Sequence, residues 1–137
     1  MFPNGLVRGL DGLVYVPISA GSGIYVMELQ RDGKLRKMDF IRIGMPIDNL
    51  SVDGNGDIWG AGLPAPFKTI SAVADPFSKK SPTTVWRVTR TSEGYKKVKV
   101  LEDRDMEVLE QISTVQHDIK TGRLFIGGES FSFISLH

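Results

Sequence analysis

The chain has 137 residues, the size of one ordinary domain, with room for one hydrophobic core but not for two full domains. Seventeen Lys plus Arg against 16 Asp plus Glu leave a net charge of +1 with no basic block, which argues against nucleic acid as a partner. At 41% hydrophobic and 24% charged residues the composition fits neither a disordered nor a membrane-embedded chain, and the lack of cysteine excludes disulfides, thiolate nucleophiles and Cys-ligated zinc.

Met1-Phe2-Pro3-Asn4-Gly5 lacks the charged segment and apolar run of a signal peptide and reads as the middle of something. No apolar run approaches the ~20 residues of a membrane-spanning helix. Gly and Pro instead punctuate short runs rich in Val, Ile, Tyr, Trp and Phe, the mark of many short strands. Strands are expected at Leu6 to Arg8, Leu13 to Ile18, Ile24 to Gln30, Leu35 to Ile43, Leu50 to Asp53 and Ile58 to Ala61. They continue at Val85 to Arg90, Lys97 to Leu101, Ser113 to Asp118, Leu124 to Gly127 and Phe131 to Leu136. Asp105 to Gln111 is the one candidate for a short helical turn. Gly62 to Thr84, with Pro64, Pro66, Pro76, Pro82 and Lys79-Lys80, reads as a long loop without regular structure, either a lid over a site or a simple insertion.

The strands repeat. Asn4-Gly5-Leu6, the turn Asp11-Gly12 and Leu13-Val14-Tyr15-Val16 recur as Asn49-Leu50-Ser51, Asp53-Gly54-Asn55-Gly56-Asp57 and Ile58-Trp59, which pairs Asn4 with Asn49. A weaker third copy is Ser113-Thr114-Val115, Lys120-Thr121-Gly122 and Leu124-Phe125-Ile126-Gly127. A four-stranded antiparallel unit repeated every ~40 to 50 residues is the pattern of a β-propeller blade. The expected fold is therefore all-β: a partial propeller of about three four-stranded blades, spanning approximately 1–45, 46–108 and an incomplete 109–137.

Propeller geometry turns sequence position into a face. Asn4, Asp48 and Asn49 precede inner strands and share the top with the 62–84 loop, while the turns at Asp11-Gly12, Gly54-Asn55-Gly56 and Lys120-Thr121-Gly122 fall at the bottom, where Gly supplies positive φ. Asn4, Asp48 and Asn49 form an oxygen-rich set suited to a hard cation such as Ca²⁺, which takes roughly six to eight oxygens. The same residue types also serve as plain turn formers. Asp53-Gly54-Asn55-Gly56-Asp57 imitates the start of a helix-loop-helix calcium loop, but Ile58 and Pro64 stand where Gly and Glu are needed, so a hairpin turn is expected. Asn49-Leu50-Ser51 matches a glycosylation triplet, yet a residue facing a propeller axis cannot carry a glycan. His117 and His137 are the only histidines and no G-x-S-x-G elbow occurs, so a serine triad has little support. His117 reads as a surface or hydrogen-bonded histidine, and Trp59, Trp86, Tyr15, Tyr25 and Tyr95 as packing residues between blades.

Three stretches carry a family resemblance: Pro3-Asn4-Gly5-Leu6, Ile47-Asp48-Asn49-Leu50-Ser51-Val52-Asp53 with Gly56-Asp57-Ile58-Trp59, and Ser113-Thr114-Val115 through Gly122-Arg123-Leu124-Phe125-Ile126-Gly127. They resemble the C-terminal half of the serum paraoxonase/arylesterase family, with Asn49 separating it from the related gluconolactonase and senescence-marker group. The resemblance implies a six-bladed propeller with calcium in its tunnel that hydrolyses lactones and aryl esters, with Asn4, Asp48 and Asn49 among the ligands of the catalytic ion. Leu63 stands where paraoxonases carry a histidine lining the site, which makes it a candidate substrate-pocket residue. The catalytic base would belong to an N-terminal half, a possible partner, and the chain alone is expected to be inactive. The resemblance further suggests a secretory or extracellular location. Two other classes stay open: a non-enzymatic calcium-binding propeller used as a scaffold, and a strictosidine-synthase-like propeller.

Overall fold

A computed structural model describes residues 3–109, 111–128 and 134–136. The described residues are all-β apart from one helix, in three antiparallel sheets of four, four and three strands, none of them closed. Sheet 1 contains β1 (Val7–Arg8), β2 (Val14–Pro17), β3 (Gly23–Leu29) and β4 (Leu35–Arg42), each hydrogen-bonded to the next in the chain. Sheet 2 contains β5 (Ile47–Val52), β6 (Ile58–Gly62), β7 (Thr83–Thr91) and β8 (Gly94–Asp103), and sheet 3 contains β9 (Ile112–Asp118), β10 (Arg123–Gly128) and β11 (Ile134–Leu136). The expected strands are all present, although the first half of Phe131 to Leu136 lies outside the described residues, as does His137.

Hydrophobic alternation stacks the sheets. Tyr15, Ile24, Val26 and Ile41 of sheet 1 pack on Ile47, Ile58 and Val88 of sheet 2. Trp59, Ala61 and Val85, on the other face of sheet 2, pack on Ile112, Val115, Leu124 and Ile126 of sheet 3. Sheet 2 is thus apolar on both faces, as a strand layer between two others requires. Trp59 is a packing residue between sheets, as the sequence suggests, and Trp86 packs against the first cluster.

The repeat holds with one correction. In the first hairpin Gly9 N donates to Leu13 O and Gly12 N to Gly9 O; in the second Asp53 N donates to Asp57 O and Gly56 N to Asp53 O. The Pro3–Ile18 bridge likewise matches the Ile47–Gly62 pair. The spacing is 44, so the counterpart of Asn4 is Asp48 rather than Asn49, and Asn49 corresponds to Gly5. Glycines at the three hairpin turns, Gly12, Gly56 and Gly122, have φ of 83°, 85° and 69°, the left-handed region that side chains with a Cβ resist.

Two expectations fail. The 62–84 segment is not irregular throughout: it contains α1 (Pro66–Ala74), nine residues long. Pro66 starts it, since its fixed φ and missing N–H suit a first helical position. Its Ala72 is fully buried, and Thr69 Oγ1 lies 2.6 Å from Ser81 Oγ, which fastens the helix to the chain entering β7. Conversely, the described residues from Asp105 to Gln111 form no helical turn. The Asp103 carboxylate accepts from the backbone N–H groups of Glu107, Val108 and Leu109, and Met106 and Gln111 adopt φ of 58° and 55°, outside helical range.

Candidate functional site

Asn4, Asp48 and Asn49 come together at one end of the sheets. Asn4 precedes β1 and its Nδ2 donates to Asp48 Oδ1 across sheets 1 and 2. Asp48 and Asn49 sit where the β5–β6 register slips between Ile47 and Leu50. Such a bulge re-aims side chains that regular alternation would send to opposite faces. Asn49 Nδ2 donates to Ser113 O of sheet 3 at 3.1 Å, which fixes the amide and leaves Oδ1 as its acceptor end. That oxygen lies toward Gly5: a Cβ on Gly5 would stand 3.1 Å from it. Gly5 also has a φ of 73°, so glycine serves both the backbone and the close approach. One carboxylate and two amides from two sheets therefore share one neighbourhood, with Asn4 exposed and the other two half-buried.

Leu63 reaches the same place. With Asp48, Thr69, Val73, Gln111 and Ser113 it lines a cavity of about 30 Å³ roofed by α1. The helix that the sequence did not reveal is thus the wall facing Asp48. As a donor set, a carboxylate and side-chain amides are hard oxygens of the kind calcium takes, and three fall short of its usual roughly six to eight.

At the other end of the sheets is a second cluster. Asp53 is buried, at 3% exposure, and its carboxylate accepts from Asn55 N, Asp57 N, Trp59 Nε1 and His117 Nδ1 at 2.7 to 3.0 Å. The His117 ring also stacks on Trp59 with centroids 4.7 Å apart. Burial acts to raise the Asp53 pKa, but the hydrogen bonds from His117, Trp59 and the two backbone groups outweigh it and hold the carboxyl below its usual range. Asp53-Gly54-Asn55-Gly56-Asp57 is the expected hairpin turn, and Asp53 is its anchor. This assembly was not expected as a unit, although a signal existed: Asp53 and His117 are 64 positions apart, the spacing that also relates Asn49 to Ser113 and Ser51 to Val115. A related arrangement joins sheets 1 and 2, where Asp11 accepts from Tyr15 Oη at 2.7 Å and Arg90 Nη1 at 2.9 Å. Burial, and then the Asp11 bond, push the Tyr15 phenol upward, so it stays protonated and donates to Asp11.

No helix among the described residues is long and apolar enough to cross a membrane. A sequence comparison with curated proteins finds no match. The family model described as Arylesterase matches residues 1–133, a span that includes Asn4, Asp48, Asn49, Leu63 and all but the end of the last sheet; the chain belongs to the paraoxonase/arylesterase family.

Proposed function

We propose that the three sheets are blades of a propeller, approximately 1–45, 46–108 and 109–137, and that the chain serves a calcium-dependent hydrolase of lactones and aryl esters. The observation that carries this reading is the convergence of Asn4 and Asp48, from equivalent positions of sheets 1 and 2, with Asn49, beside a cavity lined by Leu63. Asp48 supplies the negative charge of the metal-binding set. Asn49, held by Ser113 O, presents a fixed carbonyl oxygen, and Asn4 completes the set from the neighbouring sheet. Calcium bound there supplies Lewis-acid polarisation of an ester or lactone carbonyl. Leu63, with Val73 of α1, gives the substrate an apolar wall and keeps water from one side of the cavity. None of these residues is a general base. Three oxygens alone hold calcium weakly, and hydrolysis needs further donors.

Calcium titration followed by calorimetry tests the reading, with the Asp48→Ala variant as control. Saturable binding that the variant loses supports it, as does chelator-sensitive hydrolysis of a panel of aryl esters and lactones. Identical titrations for the two proteins overturn it. A second reading, a calcium-binding scaffold without catalysis, draws on α1 and the turn after it, where Phe67 and Phe77 are 86% and 95% exposed beside Lys68 and Lys79. Calcium binding with no hydrolysis of any ester in the panel, measured with an N-terminal half of the family supplied, would favour it.

A further inference from the structure

The chain contains two Asn-Gly pairs, Asn4-Gly5 and Asn55-Gly56. In such a pair the backbone nitrogen of the glycine can attack the asparagine Cγ, because a residue without a Cβ leaves that approach open. What the fold does with this nitrogen separates the two pairs. At the second pair Gly56 N donates to Asp53 O at 3.0 Å and Asn55 N to Asp53 Oδ1 at 2.9 Å, which fixes both residues in the hairpin turn. Asp53 is itself buried and bonded to Trp59 and His117, so opening that turn disturbs the joint between sheets 2 and 3.

At the first pair the chain is out of register. Pro3 bridges Ile18 and Val7 pairs with Tyr15, so Asn4, Gly5 and Leu6 stand opposite only Val16 and Pro17. Three residues against two make a bulge, whose extra residue has no place in the ladder. Sheet 2 repeats the device, with Asp48 and Asn49 opposite Ala61. There the extra residue, Asn49, is tied to Ser113 O through its side chain, whereas its counterpart Gly5 has no side chain to tie. The turn bond that holds Gly56 N has no counterpart at Gly5 N among the described residues.

We propose that Asn4 is a site of spontaneous deamidation, which turns one amide of the candidate cation site into a carboxylate. Gly5 N forms a bond to Asn4 Cγ, the Cγ–Nδ2 bond breaks, and ammonia leaves with the proton of Gly5 N. Water opens the resulting succinimide at either carbonyl, to aspartate or isoaspartate, its hydroxyl going to the acyl carbon and its other hydrogen to Gly5 N. The step needs no oxidant, reductant or enzyme. Water reaches Asn4 by whatever route a hydrated cation takes to it, so the reaction is independent of what else surrounds the site. The change of charge falls on a pair, since Asn4 Nδ2 donates to Asp48 Oδ1 across sheets 1 and 2. Afterwards two carboxylates meet there, which repel each other without a cation and favour a divalent one between them. That consequence rests on the calcium reading of the site, and the modification itself does not.

Incubation of the 137-residue chain at mildly alkaline pH, followed by peptide mapping with mass spectrometry, tests this. A gain of one mass unit is expected at Asn4, with Asn55 reacting at least about tenfold more slowly because its hydrogen-bonded turn must first open. In urea, where the fold is gone, the two pairs should react at similar rates, which keeps the comparison valid without any variant. Asn4→Gln, whose longer side chain closes its ring far more slowly, should remove the product at position 4 and leave Asn55 unaffected. Equal rates in the folded chain, a faster Asn55, or no product at Asn4 overturns the inference. Calcium separates it from the earlier reading. An Asn4 oxygen held by the ion cannot turn its carbon toward Gly5 N, so calcium should slow the reaction at Asn4 and not at Asn55. Asn4→Asp, the aspartate product, should bind calcium about tenfold more tightly than the parent chain. Deamidation at Asn4 that calcium does not slow supports the modification and removes Asn4 from the metal-binding set. Calcium binding with no product at Asn4 refutes the modification and leaves the calcium reading standing.

Discussion

Asp53 Oδ2 accepts a hydrogen bond from His117 Nδ1 at 2.7 Å, across the boundary between sheets 2 and 3 and 64 residues apart in sequence. The Asp53 carboxylate thereby closes its own hairpin, holds the Trp59 indole and ties in the next sheet. Asp53→Ala removes the acceptor of four donors, two of them side chains, and should destabilise the chain by about 3 kcal/mol. His117→Ala leaves the other three bonds in place and should cost about 1 kcal/mol. Urea denaturation of both single variants and the double variant measures the coupling, with the double variant less destabilised than the sum of the two.

The same carboxylate sets an acid limit. Hydrogen bonding depresses its folded pKa below the unfolded value, so the stability it contributes is complete above about pH 5 and is lost as pH falls through the depressed value, below about 4. Unfolding midpoints should therefore be flat on the neutral side and fall on the acid side. Asp53→Asn should flatten the acid limb as it lowers the plateau. An acid limb of unchanged depth in that variant would place the transition elsewhere, for instance at Asp11 or Asp103, whose carboxyls are also held low.

Much of this fold is legible in the sequence because its signals are local. Turn glycines at Gly12, Gly56 and Gly122 and alternating apolar runs such as Ile58-Trp59 mark strands without reference to tertiary contacts. The helix α1 was not legible for the opposite reason. Thr69, Ile70, Ser71 and Val73 are weak helix formers, and no side chain caps the N-terminus. What holds it is the burial of Ala72 and the Thr69–Ser81 contact, both tertiary. The site was partly legible: Asp48 and Asn49 stand out as consecutive polar residues at a strand start. The bulge that re-aims Asp48 and Asn49 is a property of pairing, and matching Asn4 to Asn49 by residue type reads the 44-residue repeat one position too long. The Asp53–His117 contact needed the stacking of sheets to become visible.

Gly5 offers a test of the oxygen set that leaves Asn4, Asp48 and Asn49 in place. A methyl at this position would meet Asn49 Oδ1 at 3.1 Å and would force a φ of 73° on a residue with a Cβ. Gly5→Ala should cost about 1 kcal/mol in stability. If the Asn49 oxygen is a calcium ligand, affinity should fall by at least about tenfold, because the amide, fixed by Ser113 O, cannot retreat without losing that bond. Gly12→Ala, also at positive φ but with nothing within 4 Å of the added methyl, separates the two effects: a similar loss of stability is expected with calcium affinity unchanged.

On the proposed reading, Leu63 bears on selectivity rather than on metal binding. It is half-buried, shares its cavity with Asp48, and sits where β6 gives way to α1, with Leu63 N donating to Pro46 O at 2.9 Å. That backbone bond survives any side-chain change, so Leu63→Ala should keep the local chain path and enlarge a cavity of only about 30 Å³. Contacts in an apolar pocket discriminate by about 1 to 3 kcal/mol for each methylene gained or lost. The ratio of kcat/KM for bulky over small acyl esters should therefore rise by about tenfold or more in Leu63→Ala, with calcium affinity unchanged. Equal losses for every substrate would assign Leu63 a purely structural role, seating α1 against the end of β6.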